Sequence, residues 1–167
     1  GGLNGLVNNA GIFRDGLLVK PDRKTGEIRK MSLKQWQAVI DIDLTGPFLF
    51  TREFAAKLIE TDTKPGVVVN ISSVFGIAGI PSQSAYNAAK FAVRGFTESL
   101  SQELAITGAP VRAKSVNPGG IKSKIAGAAS VDESLRDLGI DSEDTADRFE
   151  RAFINSPDKA ASIILRA

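Results

Sequence analysis

Val67-Val68-Val69-Asn70-Ile71-Ser72-Ser73, followed by the helical run that opens Ser84-Ala85-Tyr86-Asn87-Ala88-Ala89-Lys90, is the stretch on which the fold turns. Its first five residues form a short apolar run of the kind found in strands buried on both faces of a parallel sheet. The helix after it is expected from about Ser84 to Thr107, with Ala89, Val93, Phe96, Leu100 and Leu104 along one stripe and Gly108 as C-cap. Upstream, Leu6 to Asn8 make a similar short run; downstream, Val111 to Val116 make a more mixed one. Ser32-Leu33-Lys34-Gln35 reads as a helix start, with Ser32 as N-cap and Gln35 as its capping-box partner. From there Trp36, Val39, Ile40, Asp43 and Leu44, then Phe50, Phe54 and Leu58, recur at helical spacing. Gly46-Pro47 interrupts them, which predicts a kink or irregular turn, and Lys64-Pro65-Gly66 closes the segment. Strand, helix, strand, helix, strand with crossovers of this length predicts βαβ units in a parallel sheet. The fold class is α/β.

Two segments stand outside that rhythm. Residues 14–31 are charged and glycine-containing, and predict an extended surface loop with room for a small hairpin. Residues 124–157 are polar and alanine-rich, and Ser156-Pro157-Asp158 reads as the start of a last helix over Lys159 to Leu165.

Composition removes whole classes of chemistry. The 167 residues hold 21 Lys+Arg and 19 Asp+Glu, a net charge of +2, with no Cys and no His. Disulfides, thiolate nucleophiles, zinc-finger ligand sets and a Ser-His-Asp relay are therefore impossible. A metal site would have to be all-oxygen, and no acidic loop has EF-hand spacing, so none is expected. A charge of +2 is no nucleic-acid footprint, and no apolar run approaches the ~18 residues of a membrane span. With no export signal and no cysteine, the expected place is the cytoplasm. The chain begins Gly1-Gly2-Leu3 and its only Met is Met31. The expectation is a processed chain or a piece of a longer one.

Ligands of open parallel sheets bind outside the carboxyl ends of the strands. Those ends read Asn8-Asn9-Ala10-Gly11, Ile71-Ser72-Ser73 and Asn117-Pro118-Gly119-Gly120-Ile121, small or polar in every case. Any one alone is ordinary turn punctuation. Three at one edge predict a site. On the helix that follows, Tyr86 and Lys90 are four apart and share a face, so the ammonium can sit beneath the phenol. A phenol of pKa ~10 is a poor acid or base near neutrality, and a neighbouring cation lowers that value. The pair can thus make a general acid/base, although a half-buried structural tyrosine would show the same spacing.

Taken together, Asn8 to Gly11, Ser73, Tyr86 with Lys90, and Pro118 to Ser123 resemble the short-chain dehydrogenase/reductase family, over about residues 1–125. The resemblance implies a Rossmann-like, doubly wound three-layer domain that uses NAD or NADP to interconvert a carbonyl and a secondary alcohol. Tyr86 would pass the proton to or from the substrate oxygen, and Ser73 would hold that oxygen. Lys90 would tune Tyr86 and bind the nicotinamide ribose. Asn9, Ala10 and Gly11 would let the dinucleotide pass close to the backbone. Pro118, Gly119 and Ile121 would seat the nicotinamide, with Ser123 in the family's Thr/Ser place. Residues 124–157 would be the substrate lid. The helices matching Leu33–Glu60 and Ser84–Ile106 pack against a second copy in family members, which implies a homodimer or homotetramer. Gly11 to Leu18 looks like the loop of members that reduce 3-oxoacyl thioesters.

Two departures stand out. No G-x-G-x-x-G occurs, so residues 1–167 look like one incomplete domain, the second half of a doubly wound unit. On that reading the isolated chain binds dinucleotide poorly and tends to associate through the Leu6 strand. An inactive fragment serving at most as a scaffold is the alternative. The family's helix Asn is replaced by Asp43, an acceptor only when ionised. Asp43 is counted with Ser73, Tyr86 and Lys90 as a candidate catalytic residue; the alternative is that a main-chain carbonyl carries the role and the Asp43 side chain is tolerated.

Overall fold

The computed structural model describes residues 3–14, 16–22, 24–61, 65–121 and 155–166. A parallel sheet in the order β1-β4-β5 is built from β1 (Gly5–Asn8), β4 (Gly66–Ile71) and β5 (Val111–Val116), with Val7 beside Val69 and Val69 beside Lys114. The charged segment forms the small hairpin, β2 (Val19–Pro21) antiparallel to β3 (Ile28–Lys30). Asp22 shapes its turn by accepting the Lys24 and Thr25 N–H groups and pairing with Arg29. The helices are α1 (Leu33–Ile40), α2 (Gly46–Thr61), α3 (Ser84–Ile106) and α4 (Pro157–Arg166).

Local chemistry sets the boundaries. The Ser32–Gln35 capping box is formed in both directions. Gly108, at φ +65°, takes the left-handed position that closes α3. The interruption at Gly46-Pro47 becomes a π-helical turn, Asp41–Thr45, in which the Gly46 N–H reaches the Asp41 carbonyl. Pro47 has no N–H for the Asp43 carbonyl, so an ordinary helical ladder cannot run through this point.

That turn corrects one sequence expectation. The helical spacing groups Phe50 with Phe54 and Leu58, yet Phe50 is 66% exposed and Thr51, Ala55 and Leu58 face inward. The extra residue of the π turn advances the helical phase by one position. The Leu6 run forms β1, the edge strand at which association is expected; its apolar run suggests burial on both faces, but its residues alternate exposed and half-buried, and Val7 is exposed.

Helices α2 and α3 share one face of the sheet, where Ala55, Leu58, Val68, Leu104, Val111 and Ala113 form a core. On that face a chain of amides and hydroxyls ties four elements. Asn8 Nδ2 donates to Asn70 Oδ1 (2.7 Å) and Thr51 Oγ1 (3.0 Å), and Asn70 Nδ2 donates to Thr97 Oγ1 (2.9 Å). Asn70 is fully buried, so these bonds offset a desolvation cost that would otherwise count against the strand. Residues 122–154, which include Ser123 and most of the expected lid, lie outside the described residues. Among the described residues no helix is long and apolar enough to cross a membrane.

Candidate active site

The carboxyl ends of β4 and β5 stay paired beyond the strands themselves. Ser72 N–H donates to the Val116 carbonyl (2.8 Å) and Val74 N–H to the Pro118 carbonyl (3.0 Å). Ser73 therefore lies beside Pro118, and Gly119 packs near Val74. Ser73 is extended (φ −165°, ψ 163°) and caps a 3-10 turn, Val74–Gly76, by accepting the Phe75 N–H (3.2 Å). Gly76 lets that turn press on α3: a Cβ there would stand 2.8 Å from the Lys90 carbonyl. The Ser72 hydroxyl donates to the same carbonyl (2.8 Å). These contacts fix the face of α3 that carries Tyr86 and Lys90 against the end of β4.

Tyr86 and Lys90 are both buried. The Lys90 Nζ lies 5.3 Å from the centre of the Tyr86 ring and donates to the Ile71 carbonyl (3.2 Å). Two aromatic rings bracket the phenol ring: Phe13 at 4.8 Å and Phe75, edge-on, at 6.4 Å. Val39, Ala85 and Ala89 complete an apolar sleeve. Charges inside such a sleeve are poorly screened, so the ammonium acts strongly on the phenol.

Asp43 enters this sleeve from the π turn and is fully buried. Its Oδ2 lies 3.3 Å from Lys90 Nζ, and its Oδ1 accepts the Ile12 N–H (2.8 Å). Burial pushes the Asp43 carboxyl above its ordinary range, while Lys90 and the Ile12 N–H pull it back. Gly11 is required by closeness here: a Cβ would stand 3.0 Å from Asp43 Oδ2 and 3.4 Å from Lys90 Nζ. Asp43, Gly11, Tyr86 and Lys90 are thus brought together, with Ser73 at the adjoining strand end.

The other candidates are more dispersed. Asn9 and Ala10 are exposed and line a cleft of about 400 Å³ between β1, the π turn and the start of α2, among Leu6, Asp41, Pro47 and Phe50. Ser73, Tyr86 and Lys90 do not line it. Pro118 and Gly119 follow β5, and Ile121 makes a parallel bridge with Asn155. Among the described residues no cluster of acidic side chains could hold a metal ion.

Sequence reading missed three partners of the site. Phe13 sits on a loop and Phe75 on the three-residue 3-10 turn, where no periodicity marks an inward side chain. The Ile71 carbonyl that holds Lys90 is main chain, and every residue has one.

Comparison with known proteins places this arrangement in context. Residues 1–134 match the family described as short chain dehydrogenase. SadH of Mycobacterium tuberculosis, which carries the name of an oxidoreductase, is 39% identical over 166 residues, covering 99% of this chain and 54% of SadH. A 3-oxoacyl-[acyl-carrier-protein] reductase of Synechocystis is 46% identical over 114 residues, 68% of this chain and 40% of the reductase. Among solved structures, a 4-hydroxyisoleucine dehydrogenase mutant complexed with NADH and succinate superposes with a TM-score of 0.64 at 29% identity, covering 81% of this chain and 50% of that one. The chain spans about half the length of these relatives.

Proposed function

Because the chain belongs to the short-chain dehydrogenase family, we propose that its Ser73–Tyr86–Lys90 site interconverts a carbonyl and a secondary alcohol with NAD or NADP. The observation that carries this is the buried Lys90 ammonium, 5.3 Å from the Tyr86 ring at the same sheet edge as Ser73. Tyr86 gives its phenolic proton to the substrate oxygen in the reducing direction and takes it back in the oxidising one. The Ser73 hydroxyl holds that oxygen by a hydrogen bond. Bound at this edge, the dinucleotide supplies or accepts the hydride at the substrate carbon.

The residues present suit such a molecule. Lys90 donates to the Ile71 carbonyl and lies 3.3 Å from Asp43 Oδ2 as an ion pair, and an ammonium with three N–H groups has a donor to offer a ribose hydroxyl. Asn9, Ala10 and Gly11 bring the backbone to the surface at the end of β1. Pro118, Gly119 and the Ile121 main chain, with Ser123 beyond the described residues, seat the nicotinamide. The likeness of Gly11 to Leu18 to 3-oxoacyl reductases, together with the Synechocystis relative, supports a 3-oxoacyl thioester as the substrate.

Ser73→Ala tests the site. It removes the donor that stabilises charge on the substrate oxygen, and kcat should fall by about 10²-fold or more. Turnover is followed by nicotinamide absorbance with 3-oxoacyl thioesters and simple ketones. A variant as fast as wild type removes Ser73, and with it the proposed site, from the reaction.

A further inference from the structure

Resting on that reading, we propose that Asp43 clamps the charge of Lys90, so that Tyr86 keeps its phenolic proton to higher pH and the pH dependence of the reaction is displaced upward. A neutral amide in place of Asp43 could still accept the Ile12 N–H through its oxygen. It would then turn its NH₂ group toward Lys90 Nζ, where two donors face each other and no bond forms. Asp43 instead places an anionic oxygen 3.3 Å from that ammonium, fully buried and pressed by Gly11.

The consequence follows from the charges around the ring. Lys90 on α3 lies 5.3 Å from the Tyr86 ring, and Asp43 on the π turn pairs with that ammonium. The 11–13 loop, α1 and the 3-10 turn contribute Ile12 and Phe13, Trp36 and Val39, and Phe75. A lone buried ammonium at this range lowers a phenol pKa by about 1–3 units, and a carboxylate paired with it cancels part of that shift. The clamp acts through the Asp43 carboxylate, the form that Lys90 and the Ile12 N–H favour and burial opposes. Reduction needs the phenol and keeps it to higher pH; oxidation needs the phenolate and is displaced to higher pH.

The chain contains a single Tyr, so the ultraviolet absorbance of tyrosinate reports Tyr86 alone, without substrate or dinucleotide. In the wild-type chain burial of the phenol and the carboxylate beside Lys90 both oppose the ammonium, and the expected midpoint is near the ordinary phenol value of ~10. Asp43→Asn, which keeps the acceptor for Ile12 and removes the charge, should lower it by about one unit. Circular dichroism and the fluorescence of the single Trp, Trp36, check that the variant is folded. A midpoint unmoved by Asp43→Asn in a folded variant overturns the proposal. If the variant does not fold, the wild-type titration decides, because a midpoint below about 9 means that Lys90 acts unopposed. Failure of the proposed reaction itself would show in turnover and leave this titration unchanged.

Discussion

In a protein extended to the length of its relatives, replacing Tyr86 by phenylalanine is expected to leave dinucleotide affinity within a few-fold of wild type and to lower turnover by about 10²–10⁴-fold, the usual contribution of a positioned acid/base. Phenylalanine fills the same sleeve between Phe13 and Phe75 and keeps a ring above Lys90, so packing changes little. What disappears is the proton. Calorimetric titration with each dinucleotide, set beside steady-state kcat, separates the two effects. Retention of more than a few percent of wild-type turnover would mean that another group moves the proton.

Lys90→Ala should have an even broader effect, because it damages function and stability together. Removing the ammonium takes away the donor proposed for the ribose and the cation that favours phenolate. It also leaves the Asp43 carboxylate buried without its partner, an arrangement that typically costs about 3–5 kcal/mol. The sign of the pH dependence follows. Without Lys90, burial holds the folded-state pKa of Asp43 further above its unfolded value of 3.8. Its contribution to stability is then fully present below that unfolded value and is lost as pH rises through the folded one. The deficit of Lys90→Ala in urea unfolding should thus be largest at neutral pH and shrink as the solution is acidified. The double variant Asp43→Asn/Lys90→Met should recover most of the stability and none of the turnover. A deficit that does not vary with pH would mean that lost packing, not the stranded carboxylate, is responsible.

Much of the scaffold was legible because its signals are local. A short apolar run placed β4 and a more mixed one β5, the Ser32–Gln35 box placed the start of α1, and Gly108 placed the end of α3. The Tyr86–Lys90 pair was legible because positions four apart on a helix share a face whatever the tertiary structure. The π turn was not. Gly46-Pro47 announced an interruption, but the missing Pro47 N–H acts a full turn earlier, at the Asp43 carbonyl. The resulting phase shift exposes Phe50 and buries Thr51. Asn70 shows a related limit. In a run of valines and isoleucine it reads as a flaw in a strand, and only the partners brought by β1, α2 and α3 make it a satisfied core residue. Main-chain acceptors such as the Ile71 carbonyl, and rings supplied by loops such as Phe13, depend on where the chain passes and leave no mark in composition or spacing.

The most direct measurement is isotopic. The enzyme is incubated with a 3-oxoacyl thioester or a simple ketone and reduced dinucleotide carrying deuterium at both C4 positions of the nicotinamide, and the alcohol formed is analysed by mass spectrometry. The expected result is one deuterium on the new carbinol carbon, formed by wild type and nearly absent with Tyr86→Phe. Alcohol formed without the label, or formed equally well by Tyr86→Phe, would contradict a nicotinamide-linked site built on Ser73, Tyr86 and Lys90.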